Sequence, residues 1–321
     1  MRAPIIRSLL FAPANEPRKT GKLGASGADA VVLDLEDAVA DDQKAAARGA
    51  ARQALAALRA ERRARGVGPL ACVRVNAYDT GLTVEDLRSI ACADLDLVVL
   101  PKVESPRDLA RASQVLDAAE AEAGLQPGAI GIIALVETCA GIAVSADICA
   151  AGGRLVSIGF GSGDLGKDIG IPTIRGDLSA AIAYGRAKLV YDARAAGLPR
   201  PIDGPHLAVR DLEALEGDCR VARDLGHGGK VCIHPAQVPV ANRIFAPDPD
   251  EVAFARQVVT EFAAAEARGA AAITVGGVFI DYPIVLKAKS IIALAEELDA
   301  RTAAAGATGP AQVATAEGAG A

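Results

Sequence analysis

The chain has 321 residues, 51% hydrophobic and 23% charged, which is ordinary globular usage and excludes a largely disordered protein. At about 150 residues per domain this length suggests two domains, and a single α/β barrel of about 250 residues with an appendage fits equally well. Lys plus Arg number 34 against 40 Asp plus Glu, a net charge of −6, so no basic excess exists to neutralise the phosphates of a nucleic acid.

The N-terminal stretch MRAPIIRSLLFAPANEP has too short an apolar core for a signal peptide, and no run approaches the roughly 18 apolar residues that cross a bilayer. Cys72, Cys92, Cys139, Cys149, Cys219 and Cys232 form no C-x-x-C pair, and several sit in apolar runs as small reduced hydrophobes. A cytoplasmic protein with neither membrane nor nucleic-acid partner is expected.

Short β-branched or Leu-rich runs recur at residues 5–11, 30–35, 70–75, 97–100, 130–136, 155–160, 230–233 and, weakly, 199–202. Those reading VVLD, DLVVLP, IGIIALVE and RLVSIGF lack polar alternation, as expected of parallel strands covered on both faces. Segments of helical composition lie between them at 43–65, 106–123, 179–196 and 211–225, the last closed by Gly226. Eightfold strand–helix alternation predicts a (β/α)8 barrel, with a doubly wound open sheet as the competitor.

The polar residues favour the barrel. At or just after seven runs stand Asp34 with Glu36 and Asp37, Arg74 with Asn76, Lys102, Glu137, Asp164, Asp203 and His234. In a closed barrel these ends share one mouth, whereas an open sheet strings them along an edge.

After residue 245 the pattern changes. Pro247 and Pro249 bracket a turn, 250–267 reads as a helix, 273–280 as a hairpin around Gly276-Gly277, and 283–298 as a last helix. The expected organisation is a catalytic barrel over 1–245, a helix–hairpin–helix lid over 246–300, and a disordered tail over 301–321.

Glu137 and Asp164 form the strongest constellation: each directly follows an apolar run, one strand apart, and paired carboxylates with open positions for water and substrate suit Mg2+. Residues 161–166, GSGDLG, match G-x-G-x-x-G, but the dinucleotide fingerprint needs a second strand with an acid where 179–196 is helical. As a glycine-rich loop the same segment exposes N–H groups that can hold a carboxylate beside a metal. Tyr184-x-x-x-Lys188 copies the pair of short-chain dehydrogenases without the glycine-rich turn after the first strand, and reads as a solvent face. Arg74 is either a strand-end salt bridge to Asp34 or Glu36 or a fixed cation that polarises a carbonyl, and the two are compatible. Composition alone gives Asp281 no role.

Taken in order, RSLLFAPAN, VVLDLEDAVA, VRVN, LPKVES, ALVET, GFGSGDL, KVCIHPAQ and GGVFIDYP resemble the citrate lyase beta subunit-like family (HpcH/HpaI aldolase/citrate lyase). The family includes malyl-CoA and citramalyl-CoA lyases, within the phosphoenolpyruvate/pyruvate superfamily of TIM barrels. The resemblance spans roughly residues 5–295. It implies that Glu137 and Asp164 ligate Mg2+, with Mn2+ as a substitute, and that Arg74 contacts the keto-acid oxygens. It implies further that Glu36 and Asp37 hold metal-bound waters, and that the amides of Gly161, Ser162, Gly163 and Asp164 hold the keto-acid carboxylate. Arg7, Phe11 and Lys19 are expected near the CoA moiety, and Asp281 on a lid that reaches a neighbouring subunit of a homotrimer or homohexamer. The loop Gly-Ser-Gly-Asp is more glycine-rich than is usual in the family. The expected activity is Mg2+-dependent cleavage of a 3-hydroxyacyl-CoA, such as malyl-CoA or citramalyl-CoA, to acetyl-CoA and a 2-keto acid. A malyl-CoA thioesterase or malate synthase-like activity, or a citrate lyase beta chain acting on an acyl-carrier-protein thioester, are the alternatives.

Overall fold

The computed structural model describes residues 4–172 and 179–307. Eight parallel strands close in sequence order: β1 Ser8–Pro13, β2 Ala30–Asp34, β3 Leu70–Arg74, β4 Leu97–Leu100, β5 Gly131–Val136, β6 Leu155–Phe160, β7 Ile202–Asp203 and β8 Gly229–Cys232. β8 returns to β1 through Ser8↔Lys230, Leu9↔Val231 and Leu10↔Cys232, which completes a (β/α)8 TIM barrel. The weak run shrinks to two residues because Pro199 and Pro201 have no N–H to give a ladder. β1 starts three residues later than the apolar run, since the Arg7 N–H is taken by Asp29 Oδ2 at 2.8 Å.

Both faces of the strands are buried, which is why the runs show no polar alternation. Leu9, Val32, Cys72, Val99, Leu135, Ile202 and Val231 belong to a cluster filling the barrel. Leu10, Val31, Val73, Val98, Ala134 and Ile158 face the helices in a larger cluster. Period-two alternation therefore carries the inward face on from Leu9, Val32, Cys72 and Leu135 to Phe11, Asp34, Arg74 and Glu137 at the C-terminal ends. β5 and β6 slip register between Ile132 and Ile133, and the additional residue, Val156, joins the interior cluster.

The expected helices appear as Lys44–Arg65, Pro106–Glu122, Ser179–Ala195 and Leu212–Leu225, the last closed by left-handed Gly226 at φ 108°. One expectation needs correction. Residues 161–166 are not a loop: Gly161 is the N-cap of the helix Ser162–Ile169, anchored by buried Leu165 and Gly166. The parallel closed barrel, with that helix after β6, also excludes the dinucleotide fingerprint.

Compact units divide at Phe245, with residues 63–67 grouped with the chain from Ala246 on. The second unit holds a helix Pro249–Glu266, a hairpin of β9 Ile273–Val275 and β10 Val278–Ile280, and a helix Tyr282–Ala307. Gly276 and Gly277, at φ 56° and 82°, make the tight turn between the two strands. Val258, Phe262, Val275, Ile280 and Val285 form its core. The last helix runs past the start of the expected tail, because alanine-rich 301–307 has high helix propensity and continues an already formed helix. The rest of that tail, 308–321, lies outside the described residues. Among the described residues no helix is long and apolar enough to cross a membrane.

Candidate active site

Five chain segments bring charge to the C-terminal mouth of the barrel. Arg74 is bidentate to Asp34, Nε to Oδ1 and Nη2 to Oδ2 both at 2.7 Å. Its third nitrogen, Nη1, lies 2.7 Å from Glu36 Oε2, an ion-pair contact that lacks hydrogen-bond alignment. The guanidinium carbon stands 5.2 Å from the centre of the Phe11 ring, a cation–π contact that holds its plane. The salt-bridge reading of Arg74 is present: Asp34 occupies Nε and Nη2, while Nη1 faces Glu36 in ion-pair contact without a hydrogen bond. Asp34 also shapes the following turn, accepting the Glu36 N–H at 2.9 Å and the Ala38 N–H at 3.2 Å.

Glu137 is buried, and its carboxyl is pushed up to about 7. Burial is the main cause, and the Glu36 and Asp164 carboxylates add to it; Arg74 and the Lys102 N–H offset only part. One oxygen, Oε1, accepts that N–H at 2.9 Å. The other, Oε2, sits where a Cβ on Gly161 would fall, at 2.2 Å, so only glycine admits the carboxylate there. Burial likewise raises the Glu36 carboxyl despite Arg74 and Lys102. Asp37, more exposed, approaches Arg74 Nη1 at 3.7 Å and Lys102 Nζ at 4.0 Å. Asp164 stands on the first turn of its helix and, with Lys102, Thr138, Tyr78 and Asp168, lines a cleft of about 460 Å³.

Lys102 is one of the strand-end charges expected at the mouth, but the sequence assigned it no role. Its backbone is left-handed at φ 49°, unique among the non-glycine described residues, and its Nζ donates to Glu36 Oε1 at 2.8 Å. The signal in the sequence was a lone lysine at a strand end; its backbone geometry left no trace there.

The donor set is hard. Two carboxylates that face each other electrostatically, Glu137 and Asp164, and an orphaned buried oxygen, Glu36 Oε2, suit a small divalent cation that keeps several waters. Among the described residues no three His, Cys, Asp or Glu side chains gather at ligand spacing, so water and substrate oxygens would complete the shell. A Mg2+ there would act as a Lewis acid towards a carbonyl oxygen.

Other expected residues fall elsewhere. Arg7 is a correction: it precedes β1, at the end of the strand opposite the mouth, and Asp29 holds it through Nε and Nη2, each at 2.9 Å. With its fork consumed there, it does not belong to a ligand site at the mouth. Gly161 is corrected as a carboxylate-binding amide, because its N–H is bonded to Val136 O at 3.1 Å. The first-turn amides of Ser162, Gly163 and Asp164 have no preceding helical turn to bond. Phe11 lies at the mouth beneath Arg74, and Lys19 is exposed on a short helix, Pro17–Thr20, just beyond β1.

Asn76 and Asp203 turn outward. Asn76 donates to Asp86 at 2.7 Å and accepts from Lys44 at 2.6 Å. Asp203, pointing away from the barrel interior, pairs with Arg186 (2.8 Å) and Lys230; burial would raise it, but those two cations hold it down at about 2. His234 caps a short 3-10 turn, accepting the Ala236 N–H at 3.2 Å. Tyr184 is exposed and Lys188 is tied to Ser145 and Asp192, which disposes of the dehydrogenase pair. In the second unit, Asp281 accepts the Ile284 N–H at 3.3 Å, at the start of the final helix.

A closed parallel barrel with carboxylates and a fixed arginine at its C-terminal mouth defines the class, that of barrels whose strand ends carry the site. The chain belongs to the HpcH/HpaI aldolase/citrate lyase family, whose model matches residues 7–235. It is 35% identical over 294 residues to a (3S)-malyl-CoA thioesterase of Cereibacter sphaeroides, covering 92% of this chain and 96% of that one. It is 29% identical over 289 residues to the citrate lyase subunit beta of Leuconostoc mesenteroides subsp. cremoris, covering 90% and 93%. Among solved structures it resembles CitE from Mycobacterium tuberculosis in complex with magnesium, acetoacetate and coenzyme A. The TM-score is 0.71 at 31% identity, over 92% of this chain and all of that one.

Proposed function

We propose that the protein is a Mg2+-dependent lyase that cleaves a 3-hydroxyacyl-CoA of the malyl-CoA or citramalyl-CoA type into acetyl-CoA and a 2-keto acid. The observation that carries this reading is the mouth itself, where buried Glu137 meets Asp164, Glu36 and the Nη1 edge of Arg74. Glu137 and Asp164 would hold the cation, which supplies Lewis-acid polarisation of the oxygen that becomes the keto group.

In the cleavage direction Asp281, as the proton carrier, would take up the hydroxyl proton, the bond between the hydroxyl carbon and the carbon next to the thioester breaks, and its electron pair forms the thioester enolate. Arg74 Nη1 offers charge to the developing oxyanion, while Asp34 and Phe11 keep the guanidinium from swinging. The free first-turn amides of Ser162, Gly163 and Asp164 would bind the keto-acid carboxylate. Asp281 would deliver the proton that converts enolate to acetyl-CoA. Lys19, exposed beyond β1, would meet the CoA phosphates.

A second reading is hydrolysis of the thioester, as the name of the Cereibacter relatives suggests. The two are separated by incubating the protein with Mg2+ and a panel of hydroxyacyl-CoAs and identifying products by mass spectrometry. Acetyl-CoA with glyoxylate or pyruvate supports the lyase; free CoA with malate supports the thioesterase. Action only on an acyl-carrier-protein thioester would make it a citrate lyase beta chain.

A further inference from the structure

We propose that Lys102 is the positioning residue of the mouth, setting two carboxylates at once, Glu137 with its backbone and Glu36 with its side chain. The inference rests on the metal-dependent reading above and deepens it.

Lys102 follows β4 directly, with Pro101 between. A side chain at φ 49° is sterically disfavoured for an L-residue, and such strain persists where the surroundings over-determine it. Here the strained peptide aims its N–H at Glu137 Oε1, 2.9 Å away on the neighbouring strand. The same residue sends its ammonium to Glu36 Oε1 at 2.8 Å, on the other side of Arg74. Each acid is thus gripped by one oxygen. Glu36 Oε2 is left without a hydrogen bond, and Glu137 Oε2 is seated over Gly161. Position 102 therefore ties β2, β4 and β5 together at the level where a cation would bind. A glycine would reach the same φ without strain and keep the N–H, so strain alone does not explain a lysine; the contact to Glu36 does.

Coulomb's law separates this role from a mere charge. Removing an ammonium beside a cation site should, by charge alone, tighten the metal. If Lys102 positions the acids, its loss should weaken the metal instead. The experiment titrates Mn2+ into wild-type protein and Lys102→Met by calorimetry or electron paramagnetic resonance, with acyl-CoA turnover measured in parallel. The expected result is a Kd for Mn2+ raised at least tenfold and a lower kcat, with KM for the acyl-CoA changed less than threefold. The melting temperature in chelator should fall by a few degrees at most, because buried Glu36 loses a partner but keeps Arg74 beside it, and Lys102→Arg should restore most of the affinity. In the Glu36→Gln background Lys102→Met should add little. Unchanged or tighter Mn2+ binding by Lys102→Met overturns the proposal and leaves the metal site standing. No Mn2+ binding by the wild-type protein overturns both.

Discussion

The carboxylate of Glu137 fills the space that a side chain on Gly161 would need: an ideal Cβ there falls 2.2 Å from Glu137 Oε2 and 2.3 Å from Glu137 Cβ. Neither can yield easily, since Glu137 is packed inside the mouth and Gly161 is held by its bond to Val136 O. Gly161→Ala should therefore displace the carboxylate and cut kcat/KM by about 10²-fold, the scale of a 1 Å misplacement at a reacting centre. Gly217→Ala, on an exposed helix face with open space, should keep activity and gain up to about 1 kcal/mol of stability. Equal activity in Gly161→Ala and wild type would remove Glu137 from the site.

The raised Glu137 carboxyl predicts how the metal-free protein responds to pH. Its folded value of about 7 exceeds the ordinary 4.5, so the folded state binds the proton more tightly. Stability from this group is complete below 4.5 and is lost as pH rises through about 7. Glu137→Gln, which carries no charge, should melt near wild type at pH 5 in chelator and several degrees higher at pH 8. Mg2+ requires the ionised form, so its affinity for wild type should fall by up to about tenfold per pH unit below 7. A melting difference that is flat with pH would show that Glu137 ionises normally.

Arg74→Lys keeps the charge but cannot bond both Asp34 oxygens and reach Glu36 together. Leaving half of a buried carboxylate unpaired should cost about 1–3 kcal/mol of stability, and turnover should drop nearly as far as in Arg74→Ala. Wild-type kcat/KM in Arg74→Lys, measured at saturating Mg2+, would reduce Arg74 to a structural salt bridge.

Asp281 belongs to the second unit and caps its final helix. As the proton carrier it should show a kcat lowered by about 10²–10⁴-fold in Asp281→Asn, with Mn2+ affinity unchanged. Mixed oligomers of Asp281→Asn with Glu137→Ala should recover activity, because an intact mouth can then meet an intact Asp281 from a neighbour. Hetero-oligomers of verified composition that stay inactive would place Asp281 in its own subunit's site, and a fully active Asp281→Asn would take it out of the chemistry.

Away from the mouth, Asp203 is held at about 2 by Lys230 and Arg186, against burial that would raise it. Its depressed value means a stabilisation present above the ordinary 3.8 and lost as pH falls towards 2. Asp203→Asn should cost about 1–3 kcal/mol, because Arg186 and Lys230 lose one of the two carboxylates they share and keep Asp218; this is read by denaturant unfolding at pH 7, and the acid limb of the stability profile should flatten. Wild-type stability in that variant would mean the cluster is already balanced without it.

The eight apolar runs, the isolated charges at their ends and the glycine-paired hairpin were written in the sequence, because doubly covered strands and tight turns each demand a distinctive composition. Their order also sufficed for the resemblance that singled out Arg74, Glu137 and Asp164. Which charges face inward was decided only by the tertiary structure. A strand buried on both faces shows no polar alternation, so nothing in VVLD or CVRVN says that Asp34 and Arg74 turn to the mouth, or that β3 ends at Arg74 and leaves Asn76, beyond the strand, to turn to Asp86 and Lys44. Barrel closure sets that parity, and the slip at Ile132/Ile133 locally resets it. Sequence likewise could not show Arg7 spent on Asp29, Gly161 bonded to Val136, or the left-handed turn of Lys102, since each depends on atoms from another strand arriving at one place.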